Sequence, residues 1–462
     1  MTLALTVCVG RVESRDLRRV TVSRDLRRVT AIGAVMAKTT CQLHQCTARL
    51  QSRAVLLTSL LLWTCTVLAG PRPGLVIEES VSVQSRFFIE QGVQTPDHGQ
   101  NSHWQNSVAS DGDVSWANES GSFSFRAKPF VRVDDTDRHR THADLRELYV
   151  SGIGNGFEVH AGLRRIFWGV NEFLHLVDVI NQVDLVEDID EEDRLGQPML
   201  QVVVPRGRFT LEAFVLPGFR ERRFPGRNGR LHGPLPISGH AQYASHAGRR
   251  HVDGAVRLSA SVGALDFGIG HFSGTSREPR LRLGMDRAGG LQLVPYYETI
   301  DQTSIDGQWL WSDWAFKLEA LTRQGQGGRY RAGVFGFERT FVGALGRGDI
   351  GWVVEALWDD RGRHAPAGHF EHDLALGFRI TANDAADSTL LLGAIQDLRR
   401  DEHTLSLEAS RRLGAAFKLA LEARAFGSHA HGTALTPLSD PDYKTAFLDS
   451  DDYVQLEIST FF

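Results

Sequence analysis

The stretch YVQLEISTFF, residues 453–462, ends the chain and keeps one pattern to its last position. Chain ends are usually polar and poorly ordered, so a patterned end indicates a segment that is held in a larger structure. Read in steps of two, the stretch has a largely apolar face and a polar face: Val454, Leu456, Ile458, Thr460 and Phe462 against Tyr453, Gln455, Glu457 and Ser459. This period of two predicts a β-strand that lies between an apolar phase and water.

The same alternation recurs from residue 79 onward, where almost no segment has the period of a helix. Charged side chains recur inside these segments, opposite an apolar face. Such charges are costly in the core of a β-sandwich, but they suit a face that lines a water-filled lumen while the other face contacts lipid. We therefore expect these side chains to line a lumen: Arg126, Lys128, Arg132, Lys317, Glu319, Arg323, Lys418, Glu422 and Arg424.

The pattern indicates eighteen strands, near residues 79–91, 106–117, 122–133, 142–152, 156–167, 197–205, 207–216, 250–262, 264–273, 299–311, 314–324, 329–340, 348–358, 371–381, 388–397, 402–412, 416–426 and 451–462. Linkers after even-numbered strands are mostly short, whereas those after odd-numbered strands are mostly long: 168–196, 217–249, 274–298, 359–370 and 427–450. A soluble sandwich has no reason to sort its loops in this way. We predict an all-β fold, a transmembrane antiparallel up-and-down β-barrel of about eighteen strands, with sixteen as the alternative.

Residues 54–70, AVLLTSLLLWTCTVLAG, form the one long apolar run of the chain. Arg49 and Arg53 precede the run and small residues close it, which is the order of regions in a secretory signal peptide cut near Ala69. A transmembrane anchor and a lipoprotein attached at Cys65 are the alternatives. The run predicts export from the cytoplasm.

The octapeptide SRDLRRVT occurs twice before that run, at residues 14–21 and 23–30. A signal peptide does not normally lie this far into a chain. We expect translation to start at Met36, with residues 1–35 an untranslated or non-native extension, 36–69 the signal peptide and 70–462 the barrel. A functional basic extension is the alternative.

All four cysteines precede the expected cut: Cys8, Cys41, Cys46 and Cys65. The exported part is therefore expected to contain no disulfide, no cysteine-bound metal and no cysteine nucleophile. The whole chain carries a formal net charge of −5. An acidic exported chain is a poor candidate for binding nucleic acid.

The strand that ends at Phe462 resembles the C-terminal signature by which Gram-negative outer-membrane barrels are recognised by their assembly machinery, with Thr460 where a larger apolar residue is usual. The wider chain resembles a group of uncharacterised proteobacterial outer-membrane proteins, above all in LRRIFWGVNEFLHLVDVINQVDLVEDIDEEDRLGQPM, residues 163–199, and FVLPGFRERRFPGRNGRLHGPLP, residues 214–236. Eighteen strands is also similar to the size class of the maltoporins and specific porins. The resemblance implies a porin-like barrel and names no substrate.

Two neighbouring long loops have opposite charge. The first loop holds no Lys or Arg between Glu172 and Asp193 and is rich in acids, which include Asp184, Glu187, Asp188, Asp190, Glu191, Glu192 and Asp193. The second loop contains Arg220, Arg222, Arg223, Arg227 and Arg230. If the acidic loop folds into the barrel, the two loops would face each other across a constriction and select solutes by charge. The alternative is a solvated cap outside the barrel. Calcium binding is disfavoured because DIDEED, residues 188–193, lacks the spacing and glycine of a calcium loop.

Trp168, at the end of the fifth strand, is expected in an aromatic girdle at the membrane surface, with Trp309, Trp311, Trp314, Trp352 and Trp358. Insertion of Trp168 into the lumen is the alternative. No G-x-S-x-G or H-E-x-x-H motif occurs, so no catalytic residues, cofactor or metal are predicted.

These patterns predict a porin-like channel in a Gram-negative outer membrane for passive diffusion of small polar or charged solutes. Its predicted constriction consists of the acids from Asp184 to Asp193 named above, with Arg220, Arg222, Arg223, Arg126, Arg132, Lys317, Arg323, Lys418 and Arg424. A closed structural or surface-binding barrel with plugging loops is the alternative, and a barrel hydrolase is a weaker one. The expected partners are outer-membrane lipid and lipopolysaccharide, the barrel-assembly machinery through Phe462, and small solutes. The sequence leaves the oligomeric state open.

Overall fold

The structure, a computed structural model, describes residues 74–90, 102–233, 235–362, 365–366, 371–428 and 445–462. These residues belong to one compact unit, Gln51–Phe462. The predictions for residues 1–35 and for the signal peptide at 36–69 lie outside the described part. Two short 3-10 helices, Gly248–Arg250 and Ala446–Leu448, are described. No helix in the described ranges is long and apolar enough to cross a membrane.

Eighteen antiparallel strands form one closed sheet, which confirms the predicted fold class. The barrel strands are β1 (Leu75–Phe88), β2 (Trp104–Ala117), β3 (Phe123–Asp134), β4 (His142–Gly154), β5 (Phe157–Arg164), β8 (Gln197–Arg206), β9 (Phe209–Leu216), β11 (Asp253–Val262), β12 (Leu265–Thr275), β15 (Thr299–Trp311), β16 (Trp314–Gln324), β17 (Tyr330–Leu345), β18 (Gly348–Asp359), β19 (Asp373–Thr381), β20 (Thr389–Asp397), β21 (Glu402–Leu413), β22 (Phe417–Ser428) and β23 (Tyr453–Phe461).

Five short strands lie in the loops: β6 (Gln182–Val183), β7 (Arg194–Leu195), β10 (Gln242–Tyr243), β13 (Arg280–Met285) and β14 (Leu291–Tyr297). β6 pairs with β7, whereas β10, β13 and β14 form a separate three-stranded sheet. The sequence prediction treated the segment of β13 and β14 as a long loop. It missed β14 although Leu293, Pro295 and Tyr297 are buried in alternation there, since a proline within a run argues against a strand.

The last strand closes the barrel. β23 pairs with β22 on one side and β1 on the other, in a register that runs from Ser80 opposite Phe461 to Phe88 opposite Tyr453. The N–H of Phe462 continues this ladder and donates to the carbonyl of Glu79 at 2.9 Å. Because the two terminal strands pair with each other, neither presents an open edge in the closed ladder.

The connections sort into two ends. Turns of two to seven residues, such as residues 207–208 and 263–264, join the strands at one end, and the long loops lie at the other. Gly207 and Gly263 have φ of +62° and +64° in these turns, a conformation that glycine adopts without the steric cost other residues bear. We call the two sides of the barrel the turn end and the loop end.

The outer surface is apolar. Large exposed hydrophobic side chains recur on alternate residues of many strands, for example Leu258, Ile269 and Leu318. Trp309 and Trp311 are about half exposed near the turn end and stack with ring centroids 6.2 Å apart. This exterior suits lipid, whereas alternate residues such as Lys317 and Glu319 are buried on the inside.

Candidate functional site: the lumen and its plug loop

The long segment between β5 and β8, residues 165–196, lies inside the barrel, and we call it the plug loop. Trp168 is 2% exposed and packs edge-on against Phe214 of the wall, with ring centroids 5.9 Å apart. Val177 and Ile180 of the same loop are fully buried in one apolar cluster with Phe272 of β12. The girdle prediction for Trp168 is therefore wrong, because a large apolar surface inside the barrel was available to bury it.

A wall carboxylate, Glu319 of β16, binds the first part of the plug loop. Its two oxygens accept backbone N–H groups from Val170 at 2.8 Å, Asn171 at 3.0 Å and Val177 at 3.0 Å. Gly169 completes the contact: its φ is +133°, and a Cβ there would lie 2.7 Å from a Glu319 oxygen. Because charge-assisted hydrogen bonds are the strong ones, this carboxylate fixes the loop against the wall.

Glu355 of β18 repeats the arrangement. It accepts the N–H groups of Glu172 at 2.5 Å, Phe173 at 3.0 Å and Leu174 at 3.2 Å. The Phe173 ring then lies against Gly377 and Gly393, where a Cβ would come within 3 Å of the ring. Glu319 was predicted to line the lumen, but the sequence prediction missed Glu355.

The acidic half of the plug loop pairs with arginines of the wall. Arg86 of β1 binds Asp188 at 2.8 Å, and Arg424 of β22 binds Asp190 at 2.9 Å. Glu187 is 3% exposed and accepts from Arg132. The arginines that hold these acids lie on β22, β1 and β3, within five neighbouring strands of the barrel wall.

Glu187 is the most densely paired of these acids. Besides Arg132 at 3.0 Å, Arg146 lies 3.3 Å from the same carboxylate oxygen. Burial opposes ionisation of Glu187, but the nearby guanidinium groups outweigh it and lower the pKa of this carboxyl. Arg86 and Arg146 were missed from the sequence because strand alternation shows which side chains face inward but not what they contact.

The acidic loop and the arginine-rich loop were predicted to face each other, and the structure shows contacts between some of these residues. Arg222 lies 3.5 Å from Glu191, and Arg223 lies 3.4 Å from Asp184. Arg220 instead binds Asp144 of β4 at 2.6 Å. The arginine-rich loop therefore touches the plug loop but does not form a separate ring of charge opposite it.

The remaining predicted residues occupy varied positions. Asp193 lies 3.9 Å from Arg146, and the backbone N–H of Glu192 donates to Asp190 at 3.0 Å. Arg126 and Lys128 pair with Asp113, Lys317 pairs with Glu338, and Arg323 pairs with Glu278. Their role in a constriction stays a prediction.

Three cavities lined by described residues border the plug loop. The outer cavity, about 520 Å³ at the loop end, is lined by the segment around Arg220 to Pro225. The inner chamber, about 140 Å³, lies between the plug loop and Glu278. The lower cavity, about 480 Å³, lies along β19 to β23 and is lined by Arg379, Glu408, Lys418, Glu422, Arg424 and Glu457. No group of three or more potential metal ligands is present in the described ranges.

In sequence, the chain matches no family model and no curated protein. In structure it is similar to a BenF-like porin from Pseudomonas fluorescens Pf-5, with TM-score 0.48, 8% identity and coverage of 84% of this chain and 98% of that chain. It is also similar to OccK10 (OpdN) of Pseudomonas aeruginosa, with TM-score 0.47, 8% identity and coverage of 85% and 99%.

A third similar structure is Wzi of Escherichia coli, described as a carbohydrate-binding β-barrel involved in group 1 capsule assembly, with TM-score 0.46, 9% identity and coverage of 82% and 83%. The resemblance to uncharacterised outer-membrane proteins stays a prediction. The closed sheet and apolar exterior of the chain itself establish its class: a transmembrane, eighteen-stranded antiparallel β-barrel whose lumen holds a docked loop.

Proposed function

We propose that the protein is an outer-membrane channel for passive diffusion of small polar or charged solutes. The observation that carries the proposal is the lower cavity, because about 480 Å³ of charged lumen remains open between the plug loop and β19 to β23. A barrel whose only role was structural would need no charged space of this kind along its wall. Lys418, Arg379, Glu408 and Glu457 all line this cavity, so a solute there meets both signs of charge.

The proposed location follows from the same architecture. A closed sheet satisfies every backbone group between its strands, which is what lipid requires, and short turns opposite long loops are typical of outer-membrane barrels. Export through the predicted signal peptide, contacts with lipid and lipopolysaccharide, and recognition by the barrel-assembly machinery belong to this proposal. Mass spectrometry of the mature N-terminus tests the predicted cut near Ala69.

A second candidate is a closed structural or surface-binding barrel. The observation that favours it is the firm docking of the plug loop, whose six backbone N–H groups bind Glu319 and Glu355. Its apolar side chains also pack on the wall. A loop fixed in this way narrows any passage, so the two candidates differ in whether solute still crosses.

Single-channel recording in planar bilayers separates the candidates. Refolded protein is first shown to form the barrel by heat-modifiable migration and strand-rich circular dichroism. The channel proposal predicts discrete conductance steps, and ion selectivity that changes when Lys418 is changed to Gln. A tight electrical seal at every voltage refutes the channel and supports the closed barrel.

A further inference from the structure

The three cavities follow one another through the plug loop, because neighbouring cavities share a lining residue. Arg222 lines both the outer cavity and the inner chamber. Asp190 lines both the inner chamber and the lower cavity. The lining residues thus mark a route from the loop end, past Arg222, through the chamber and past Asp190 into the lower lumen.

Two ion pairs cross this route, and consecutive residues supply their carboxylates. Glu191 lies 3.5 Å from Arg222, and Asp190 lies 2.9 Å from Arg424. Glu191 has φ of +62°, a left-handed conformation that is unfavourable for a residue with a side chain. Both residues line the inner chamber, where Glu191 pairs with Arg222 of the outer cavity and Asp190 also lines the lower cavity.

These two pairs are more exposed than the pairs that anchor the loop. The side chains of Glu191 and Asp190 are 33% and 23% exposed, whereas Glu187 is 3% exposed. Partly exposed ion pairs stabilise little, because water screens them and replaces the lost contact. They can therefore open while the buried pairs hold the loop.

The chamber between the pairs presents opposite charges with unused hydrogen-bonding capacity. The side chain of Asp178 is fully buried, and its Oδ2 lies 3.3 Å from Arg194 without forming a hydrogen bond to any described residue. Arg277 is 4% exposed and donates from Nε and Nη1, but its Nη2 has no acceptor in the described part of the chain. Both residues line the chamber.

Buried polar atoms normally have partners, so these exceptions need an explanation. An acceptor that is ion-paired with Arg194 but makes no hydrogen bond, and an unused guanidinium donor, suit a solute that carries both an ammonium group and a carboxylate. At about 30 Å³ per water molecule, the 140 Å³ chamber has room for about five waters or a solute of similar size. A small zwitterion satisfies both atoms, whereas an ion of either sign satisfies only one.

We infer that the inner chamber is a binding site for small zwitterionic solutes of amino-acid type, and that Glu191 and Asp190 are the outer and inner gates of this site. The solute carboxylate accepts from Arg277 Nη2 and its ammonium group donates to Asp178 Oδ2. This inference rests on the proposed channel function for its route, but binding in the chamber has its own readout.

Glycine and glycolamide provide the test, because they are isomers of nearly equal size and only glycine is a zwitterion. In proteoliposome swelling, wild-type protein is expected to admit glycine about tenfold faster than glycolamide, the factor at the lower end of what one hydrogen bond to a charged group supplies. Asp178→Asn is expected to bring that ratio to about one. Glu191→Gln is expected to raise the rates of both isomers, because it opens the outer gate.

Asp313→Asn is the control, since it removes one acid from the turn between β15 and β16, where the side chain is 62% exposed and lines none of the three described cavities. Its rates should equal those of wild type. A wild-type ratio of about one, or an unchanged ratio in folded Asp178→Asn, overturns the inference and leaves the channel proposal standing. Should Asp178→Asn not fold, equal rates for Glu191→Gln and wild type overturn the outer gate.

Equilibrium dialysis with labelled glycine tests the site apart from transport. Glycine that binds wild type but not Asp178→Asn, in a protein that conducts nothing, supports the site and refutes the channel. Absence of glycine binding to wild type, with water alone filling the chamber, overturns the inference.

Discussion

Removal of Glu319 should free the plug loop and leave the barrel intact. The change Glu319→Ala deletes a carboxylate that is fully buried and accepts three backbone N–H groups of the loop, from Val170, Asn171 and Val177. The ladder of β16 with β15 and β17 uses backbone groups alone and is unaffected. The perturbation therefore acts on docking of the loop and not on closure of the sheet.

The expected size follows from the bonds lost. A hydrogen bond to a charged group contributes about 1.5–3 kcal/mol, so three such bonds contribute about 5–9 kcal/mol if the freed amides stay dry. Water in the lumen can form hydrogen bonds with the freed amides and so replaces part of the lost free energy. We therefore expect docking of the loop to weaken by about 3 kcal/mol, or about a hundredfold in the docking equilibrium constant. Arg86, Arg132 and the apolar cluster around Ile180 still hold the rest of the loop.

The assay is single-channel recording, with limited proteolysis as a second readout. Glu319→Ala should show larger and noisier conductance than wild type, because the loop leaves the lumen for part of the time. Trypsin should cut after Arg194, whose side chain is 14% exposed in the docked loop. Heat-modifiable migration should match that of wild type.

Glu338→Ala is the matched control. Glu338 lies on the adjacent strand β17 and pairs with Lys317 at 3.2 Å, and its described contacts include no plug-loop residue. This variant should behave as wild type in both assays. If Glu319→Ala folds and its conductance, noise and tryptic pattern equal those of wild type, the carboxylate does not hold the loop and the reasoning is refuted.

Three further predictions concern other parts of the molecule. Burial raises the pKa of Asp184 to about 7 against the opposing charge of Arg223, and the nearby acids Glu187, Asp193 and Asp144 act in the same direction as burial. The protonated form stabilises docking below about pH 4, and this contribution is lost as pH rises through about 7. Conductance should therefore increase between about pH 5 and pH 8 in wild type. The increase should be smaller in Asp184→Asn, where Asp190, whose pKa burial and Asp188 raise to about 8, still titrates; an equal increase in the two proteins would count against a role of Asp184 in docking. A Cβ at Gly377 would lie 2.6 Å from the Phe173 ring, so Gly377→Ala should displace that ring and increase channel noise. Gly333→Ala is the control, because a Cβ there would have its nearest neighbour at 3.6 Å, and it should leave the noise unchanged. Equal noise in the two variants would count against the packing argument. Phe462 is 75% exposed, so Phe462→Ala should refold in detergent like wild type. If Phe462 is an assembly signal, the variant should nevertheless accumulate less in the outer membrane, as measured by heat-modifiable protein in membrane fractions. Normal accumulation would argue against an assembly signal.

The barrel was predictable because its information is local. A strand with lipid on one face and water on the other must alternate apolar and polar side chains. Lys317, Glu319 and Arg323 show this alternation within a few residues of one another. The alternation of short and long connections is a second signal, because successive strands run in opposite directions and their connections lie alternately at the two ends of the barrel. Both signals survive in a single sequence, and strand boundaries deviated by only a few residues, as at β1, where the strand begins at Leu75 and not at residue 79.

The plug loop was not predictable in the same way. Its acids fitted a loop inside the lumen and a solvated cap equally well, and Trp168 was assigned to the wrong surface. Which arrangement occurs depends on partners far away in sequence, such as Glu319, which lies 148 residues from Asn171, and Glu355, which lies 183 from Glu172. No periodic pattern records contacts of that range.

The sequence by itself determined a closed membrane barrel, because lipid imposes alternation and pairing on every strand, including the one that ends at Phe462. Only the tertiary structure decided that residues 165–196 occupy the lumen, and that Asp190 and Glu191 lie between cavities. The physical reason is that docking depends on whether distant buried charges and backbone amides find one another, and their positions are fixed only when the barrel has closed.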